Sequence, residues 1–127
     1  MLINLSNHPS AKWDKKQKDE AEKQFGEIID EKFPQILPEA SYDDILELVD
    51  KYTEKCSELV KQKGHNKNAV HVMGEMTFVF QFVKKMAEEG MLCIASTTDR
   101  KTEEYEDGSM KKEFKFIQFR PYTTDLF

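Results

Sequence analysis

Cysteine is scarce in this chain: only Cys56 and Cys93 occur among 127 residues. One falls in a helix-like segment and the other in a strand-like one. That excludes a disulfide framework as the organising principle and leaves buried thiols in a reducing cytoplasm as the expectation. Long apolar runs are also missing. No stretch approaches the roughly 20 residues needed to span a bilayer. The opening MLINLSNHPS has no basic flank and is too short and polar for a signal peptide. No membrane association is expected.

Positive charge is not in surplus. The net charge of -5 argues against a general affinity for duplex nucleic acid, which rests on phosphate neutralisation by a basic face. A small anionic ligand stays compatible, because a pocket can be locally positive on an acidic protein. The 3 histidines are scattered, and neither HExxH nor CxxC spacing occurs, so no metal and no cofactor is expected. The P-loop, GxGxxG and GxSxG patterns are absent as well, which disfavours a conventional dinucleotide oxidoreductase or serine hydrolase.

What is present describes one ordered domain over residues 1–127. Hydrophobic residues make up 39% and charged ones 34% of the chain, enough for a core and a solvated surface. Leu2 to Leu5 reads as a strand, placed centrally in its sheet and stopped by Ser6, Asn7, His8 and Pro9. Ser10 or Asp14 caps the charged helix that ends before Gly26, with a thin apolar face of Trp13, Ala21 and Phe25. EIID follows as a short strand. Ser41 and Asp44 form a capping-box pattern before a helix that ends at Gly64. Ala69 to Met73 is a third strand, and a helix with Phe78, Val79, Phe82, Val83 and Met86 at helical spacing runs to Gly90. MLCIAS is a fourth strand. A hairpin through Asp107-Gly108 pairs it with a fifth, in a register that sets Arg100 opposite Lys115 and Ile94 opposite Tyr122 or its neighbour. This order predicts an α/β fold: a single three-layer Rossmann-like sandwich whose mostly parallel five-stranded sheet has the order 2-1-3-4-5, with an antiparallel C-terminal edge strand.

In such sheets ligands gather at the carboxyl ends of strands where the strand order reverses. Three polar clusters follow three apolar strands. Ser6, Asn7 and His8 end the first, and Gly74, Glu75, Met76 and Thr77 end the third. Ser96, Thr97, Thr98, Asp99 and Arg100 follow the fourth. His8 is the acid–base candidate, since its ordinary pKa lies nearest neutrality; the alternative is a solvated turn histidine. Glu75 is a base, an orienter or a first-turn acid favoured by the helix dipole. Gly74 leaves room for a sharp turn or for a ligand, Thr77 can cap the helix, and free N–H groups there favour an anion, with which Glu75 would compete. Arg100 and Lys101 offer positive charge to a phosphate or a cross-strand ion pair. His65 and His71 look structural. Phe78, Phe80, Phe82, Phe114, Phe116 and Phe119 belong to the core or to a dimer surface rather than to a stacking platform.

The segments NLSNHPS, HVMGEMTFVFQFVKKMAEEG and CIASTTDR resemble the small CRISPR-associated Rossmann-like proteins, stand-alone relatives of the CARF sensor domains linked to type III antiviral defence. The resemblance implies a homodimer that binds a cyclic oligoadenylate across its interface. It also implies, for the ring nucleases among them, metal-independent cleavage by a ribose 2′-hydroxyl. Carried over by position, Asn7, His8, Gly74, Glu75, Thr77, Ser96 and Thr97 would line the pocket. His8, Glu75 and Arg100 are the catalytic candidates, and Ser6, Asn7, Gly74, Met76, Thr77, Ser96, Thr97 and Thr98 the ligand-binding ones. Two alternatives stand beside this: a non-catalytic dimeric interaction module, whose dimer would depend on Phe116 or Phe119, and a small-molecule or nucleotide-binding enzyme on a flavodoxin-like scaffold.

Overall fold

The structure is a computed structural model that describes residues 1–126, the side chains of Lys101 and Lys112 excepted. The chain runs β1 (Leu2–Ser6), a 3-10 turn (Ser10–Lys12), α1 (Lys15–Phe25), β2 (Ile28–Lys32), α2 (Tyr42–Lys63), β3 (Ala69–Val72), α3 (Met76–Glu88), β4 (Leu92–Glu104) and β5 (Met110–Pro121). The fold is mixed α/β. Its five-stranded sheet has the order β2-β1-β3-β4-β5. All neighbours are parallel except β4 and β5, which pair antiparallel at one edge.

Local chemistry explains the element ends. Asp14, not Ser10, caps α1, its carboxylate accepting from the Gln17 amide. Ser41 and Asp44 form a reciprocal capping box on α2, and Gly64 at φ 65° closes that helix in the left-handed region. The predicted Thr77 cap on α3 is corrected: Glu75 is the N-cap and accepts from the Thr77 and Phe78 amides. Near the turn the hairpin register differs by one residue from the expectation: Arg100 lies opposite Phe114, because the turn closed by the Tyr105 amide on the Ser109 carbonyl holds three residues and not two. A bulge between Thr97 and Thr98 restores the expected pairing, and Ile94 lies opposite Pro121, the neighbour of Tyr122.

Strand alternation divides the apolar residues between two faces. Ile3, Leu5, Val70, Val72 and Cys93 pack with Ile45, Val49 and Cys56 of α2 and with Phe78, Phe82 and Met86 of α3. Leu2, Ala69 and Ile94 pack instead with Trp13, with Ala21 and Phe25 of α1, and with Phe116 and Phe119 of β5. The aromatic residues therefore separate. Phe116 and Phe119 are core residues of the monomer, while Phe80 and Phe114 are exposed, so a dimer surface built on Phe116 or Phe119 is ruled out by their burial. Cys56 and Cys93 are free thiols in the first cluster, each pushed up to about 12 by burial. Among the described residues no helix is long and apolar enough to cross a membrane.

The strand order reverses between β1 and β3: the chain leaves β1 for β2 on one side and returns to β3 on the other. The carboxyl ends of β1 and β3 part there, and β4 and β5 extend past them as a hairpin.

Candidate functional site

A cleft of about 590 Å³ opens at this reversal. Ser6, Asn7 and His8 from the end of β1 meet Met73 and Gly74 from the end of β3 and Ser96 and Thr98 of β4 across it. The turn before α1 adds Lys12, Trp13 and Asp14, and β5 adds Phe114 and Phe116. The polar ends of the first and third strands thus share one cavity with the middle of β4; the strand end expected at Ser96 is corrected, since β4 continues to Glu104 as one arm of the hairpin.

Its inner wall is a hydrogen-bonded chain of side chains from adjacent strands. Asn4 is 1% exposed, and its Nδ2 donates to the His8 carbonyl at 2.9 Å and to Asp30 Oδ1 at 2.8 Å. Those two acceptors fix the amide's orientation, so Asn4 Oδ1 is the acceptor for Ser6 Oγ at 2.8 Å and for His71 Nδ1 at 2.9 Å. His71 must then carry its proton on Nδ1, which leaves the Nε2 lone pair for the Ser96 hydroxyl at 3.2 Å. Burial pushes His71 down to about 4, with the nearby His8 charge adding to the effect. Its ring is wedged against Trp13 and Phe119, at centroid separations of 5.2 and 5.8 Å.

The rest of the cleft is held as firmly. The His8 carbonyl also accepts from Trp13 Nε1 at 3.1 Å, which pins the turn after β1 to the α1 side. Asp30 accepts from the Ser10 amide and hydroxyl. Burial opposes its ionisation, yet the bonds from Asn4 and Ser10 prevail and hold its carboxyl below the usual range. Asp14 caps α1 with one oxygen and accepts from the Phe116 backbone amide with the other, at 3.1 Å, so it ties β5 to the helix start.

Several anticipated site residues lie elsewhere. The Glu75 carboxylate takes the Thr77 and Phe78 amides at 3.1 and 2.8 Å and the Thr77 hydroxyl at 2.5 Å. The helix end expected to receive an anion is therefore filled by the chain's own acid. The bond from the Thr77 hydroxyl does most to hold the Glu75 carboxyl below its usual range, with the Phe78 and Thr77 amides behind it. Gly74 does border the cleft, but its lack of a side chain has a packing cause: a Cβ there would meet the Phe33 ring at 2.4 Å. Met76 is 83% exposed and borders a separate apolar hollow of about 540 Å³, lined also by Val79, Phe80 and Tyr122. Thr97 donates to the Gln118 carbonyl across the hairpin. The Arg100 guanidinium stacks over the exposed Phe114 ring, 5.5 Å from its centroid, instead of reaching the cavity. The Lys101 side chain lies outside the described residues. His65 bonds Glu27 at 2.9 Å, far along the chain from the cleft residues.

Asn4, Lys12, Trp13 and His71 are cleft or wall residues that sequence reasoning passed over. One signal was available. Asn4, Ser6, His71 and Ser96 occupy the same strand face as Leu2, Ala69, Leu92 and Ile94, so four polar residues follow the apolar ones along one face in the carboxyl direction. Among the described residues no group of three His, Cys, Asp or Glu side chains could hold a metal ion.

A family model described as the uncharacterized protein MJ1673 family matches residues 1–120. The chain belongs to that family. No curated protein and no solved structure matches. Membership of the MJ1673 family spans every element that builds the cleft, from β1 to the greater part of β5.

Proposed function

We propose that this chain binds a cyclic oligoadenylate in the cleft at the carboxyl ends of β1 and β3, beside the middle of β4, and that it cleaves the bound ring without a metal. The observation that carries the reading is the convergence of Asn7, His8, Lys12, Ser96 and Thr98 on one cavity at the strand-order reversal. Lys12 and the hydroxyls suit phosphate oxygens, and the exposed Phe114 ring offers a face on which a base can stack. The resemblance of NLSNHPS, HVMGEMTFVFQFVKKMAEEG and CIASTTDR to the CARF relatives supports a cyclic oligoadenylate within the phosphodiester class and, with it, a role in antiviral defence. The cavity falls in the range of about 300–1,000 Å³ typical of small-ligand sites, which suits part of a ring. A homodimer would bring two such cavities together around a symmetric ligand. The exposed Met76, Phe80 and Tyr122 beside the cleft support that assembly.

The same reading takes the architecture as a three-layer Rossmann-like sandwich, supported by the division of apolar residues into two clusters. It places the chain in the cytoplasm, where the free thiols Cys56 and Cys93 persist.

Titration calorimetry with cyclic tetra-adenylate and hexa-adenylate tests binding, and chromatography of the mixture tests cleavage. Lys12→Ala is expected to weaken binding at least tenfold. Absence of binding to both rings refutes the proposal. A second reading, a non-catalytic interaction module, is favoured by the exposure of Leu37, Tyr42, Met76 and Phe80. It predicts self-association lost in Phe80→Ser and no response to either ring.

A further inference from the structure

We propose that Ser96 is a nucleophile, served by the relay Asp30–Asn4–His71–Ser96, that attacks the phosphorus of a bound phosphodiester in place of a ribose 2′-hydroxyl. The substrate class rests on the reading that the cleft binds a phosphodiester; the nucleophile itself rests on the geometry of the wall.

The polarity of the relay follows from donor and acceptor capacity. Asp30 is an acceptor only, so it orients the Asn4 amide with Nδ2 toward itself. Asn4 Oδ1 then receives the Nδ1–H of His71, and Nε2 is left bare toward Ser96 Oγ at 3.2 Å. The hydroxyl has one proton and two neighbours, His71 Nε2 and Met73 Sδ, both at 3.2 Å. Nitrogen is the far better acceptor, a thioether sulfur a weak one, so the proton points to His71. A nucleophile, a base within reach of it and a third group orienting the base make the general signature of an activated side chain. The exposure pattern fits. His71 is 2% exposed but borders the cavity beside the half-buried Ser96, so its Nε2 edge can pass a proton to the group that reacts there. His71 is accordingly the general base and acid, Ser96 the nucleophile, and Asn4 the positioning residue. The serine stands on a strand, without the sharp strand-to-helix turn that GxSxG marks, so sequence patterns do not flag it.

The step balances within the chain. Ser96 Oγ forms a bond to phosphorus as the bond from phosphorus to the leaving ribose oxygen breaks. The hydroxyl proton moves to His71 Nε2 and then to that leaving oxygen. Water next attacks the serine-linked phosphorus, gives a proton to Nε2, and the proton returns to Ser96 as its bond to phosphorus breaks. The product ends in an ordinary phosphate monoester, whereas attack by a 2′-hydroxyl leaves a 2′,3′-cyclic phosphate.

An alkyl fluorophosphonate tests the nucleophile without any nucleotide. Ser96 Oγ bonds phosphorus, fluoride leaves and the proton goes to His71. Intact mass and peptide mapping are expected to show one adduct, on Ser96, absent in Ser96→Ala and unchanged in Thr97→Ala. His71→Gln should slow labelling at least tenfold. In the wild type the rate should be level from pH 6 to 8 and fall as His71 takes up a proton at lower pH. The charged groups facing the relay are His8, Lys12 and Asp14 in the cleft and Asp30 behind Asn4. No adduct on Ser96 overturns the proposal, as does full-rate labelling of His71→Gln. If His71→Gln does not fold, the wild-type profile decides: a rate that climbs steadily into the alkaline range, like that of an ordinary serine, overturns it. Labelled Ser96 with no ring bound sinks the cyclic oligoadenylate reading and the phosphodiester assignment but leaves the nucleophile standing. A bound ring with no labelling, or with a 2′,3′-cyclic product, sinks this inference alone.

Discussion

Protonation of His71 should destabilise the protein by an amount that can be worked from its surroundings. The imidazole sits buried between Trp13, Phe119 and Asn4, and burial first, then the charge at His8, pushes it down to about 4. The unfolded chain has its ordinary value near 6.5, so between those values the unfolded state binds the proton and the folded state does not. Stability is therefore fully present above pH 6.5 and is lost as pH falls from there toward 4. The whole span corresponds to roughly 3 kcal/mol, and the step from pH 7.5 to pH 5 to about 2 kcal/mol. For a chain of this length that step is a fall of about 7 °C in Tm. His71→Gln cannot titrate, so its stability should lack this component, whatever the substitution costs at neutral pH. Urea unfolding of both proteins at pH 7.5, 6 and 5 provides the check. Parallel stability curves for the two proteins would refute the account of His71 as a buried neutral imidazole.

The other predictions concern the turn into α3. Glu75→Ala removes the cap on the Thr77 and Phe78 amides and should cost about 1 kcal/mol in denaturant melts. Under the proposed function, the same variant should bind cyclic oligoadenylate with unchanged affinity, because the carboxylate engages the helix end and not the cleft; a tenfold loss in calorimetry relative to the unsubstituted protein would contradict that placement. Gly74→Ala drives a Cβ to 2.4 Å from the Phe33 ring, which is buried edge-on against Phe78 at 5.1 Å. It should cost about 1–3 kcal/mol as overpacking. Most of that loss should vanish in a Phe33→Leu background, and additive effects in the double-mutant cycle would show that the ring is not the obstacle.

Much of the fold was legible before any coordinates. The Ser41–Asp44 capping box, the Gly64 stop, the Asp107–Gly108 hairpin and the spacing of Phe78, Val79, Phe82 and Met86 are local signals, each written within a few consecutive residues. Right-handed crossovers and one edge hairpin then leave few sheets to choose from, and the order β2-β1-β3-β4-β5 is among them. The meeting of the ends of β1 and β3 beside β4 follows from that order, whereas β4 was expected to stop at Ser96 and runs on to Glu104.

What the residues do at that meeting point was not legible. Glu75 and Thr77 read equally well as site residues or as a cap, and only the helix orientation turned the carboxylate onto its own amides. Gly74 looked permissive for a ligand until a loop residue 41 positions earlier, Phe33, was seen to fill the space. His71 looked like an ordinary strand histidine. Its tautomer and its serine partner depend on Asn4, 67 residues away, and Ser96, 25 residues away. The sequence by itself determined the elements, their ends and their order, because helix caps, turns and periodicity act over a handful of residues. Tertiary structure alone decided which polar groups satisfy one another, because that is set by the register of parallel strands joined through long crossovers, and a hydrogen bond is made or lost within a few tenths of an ångström.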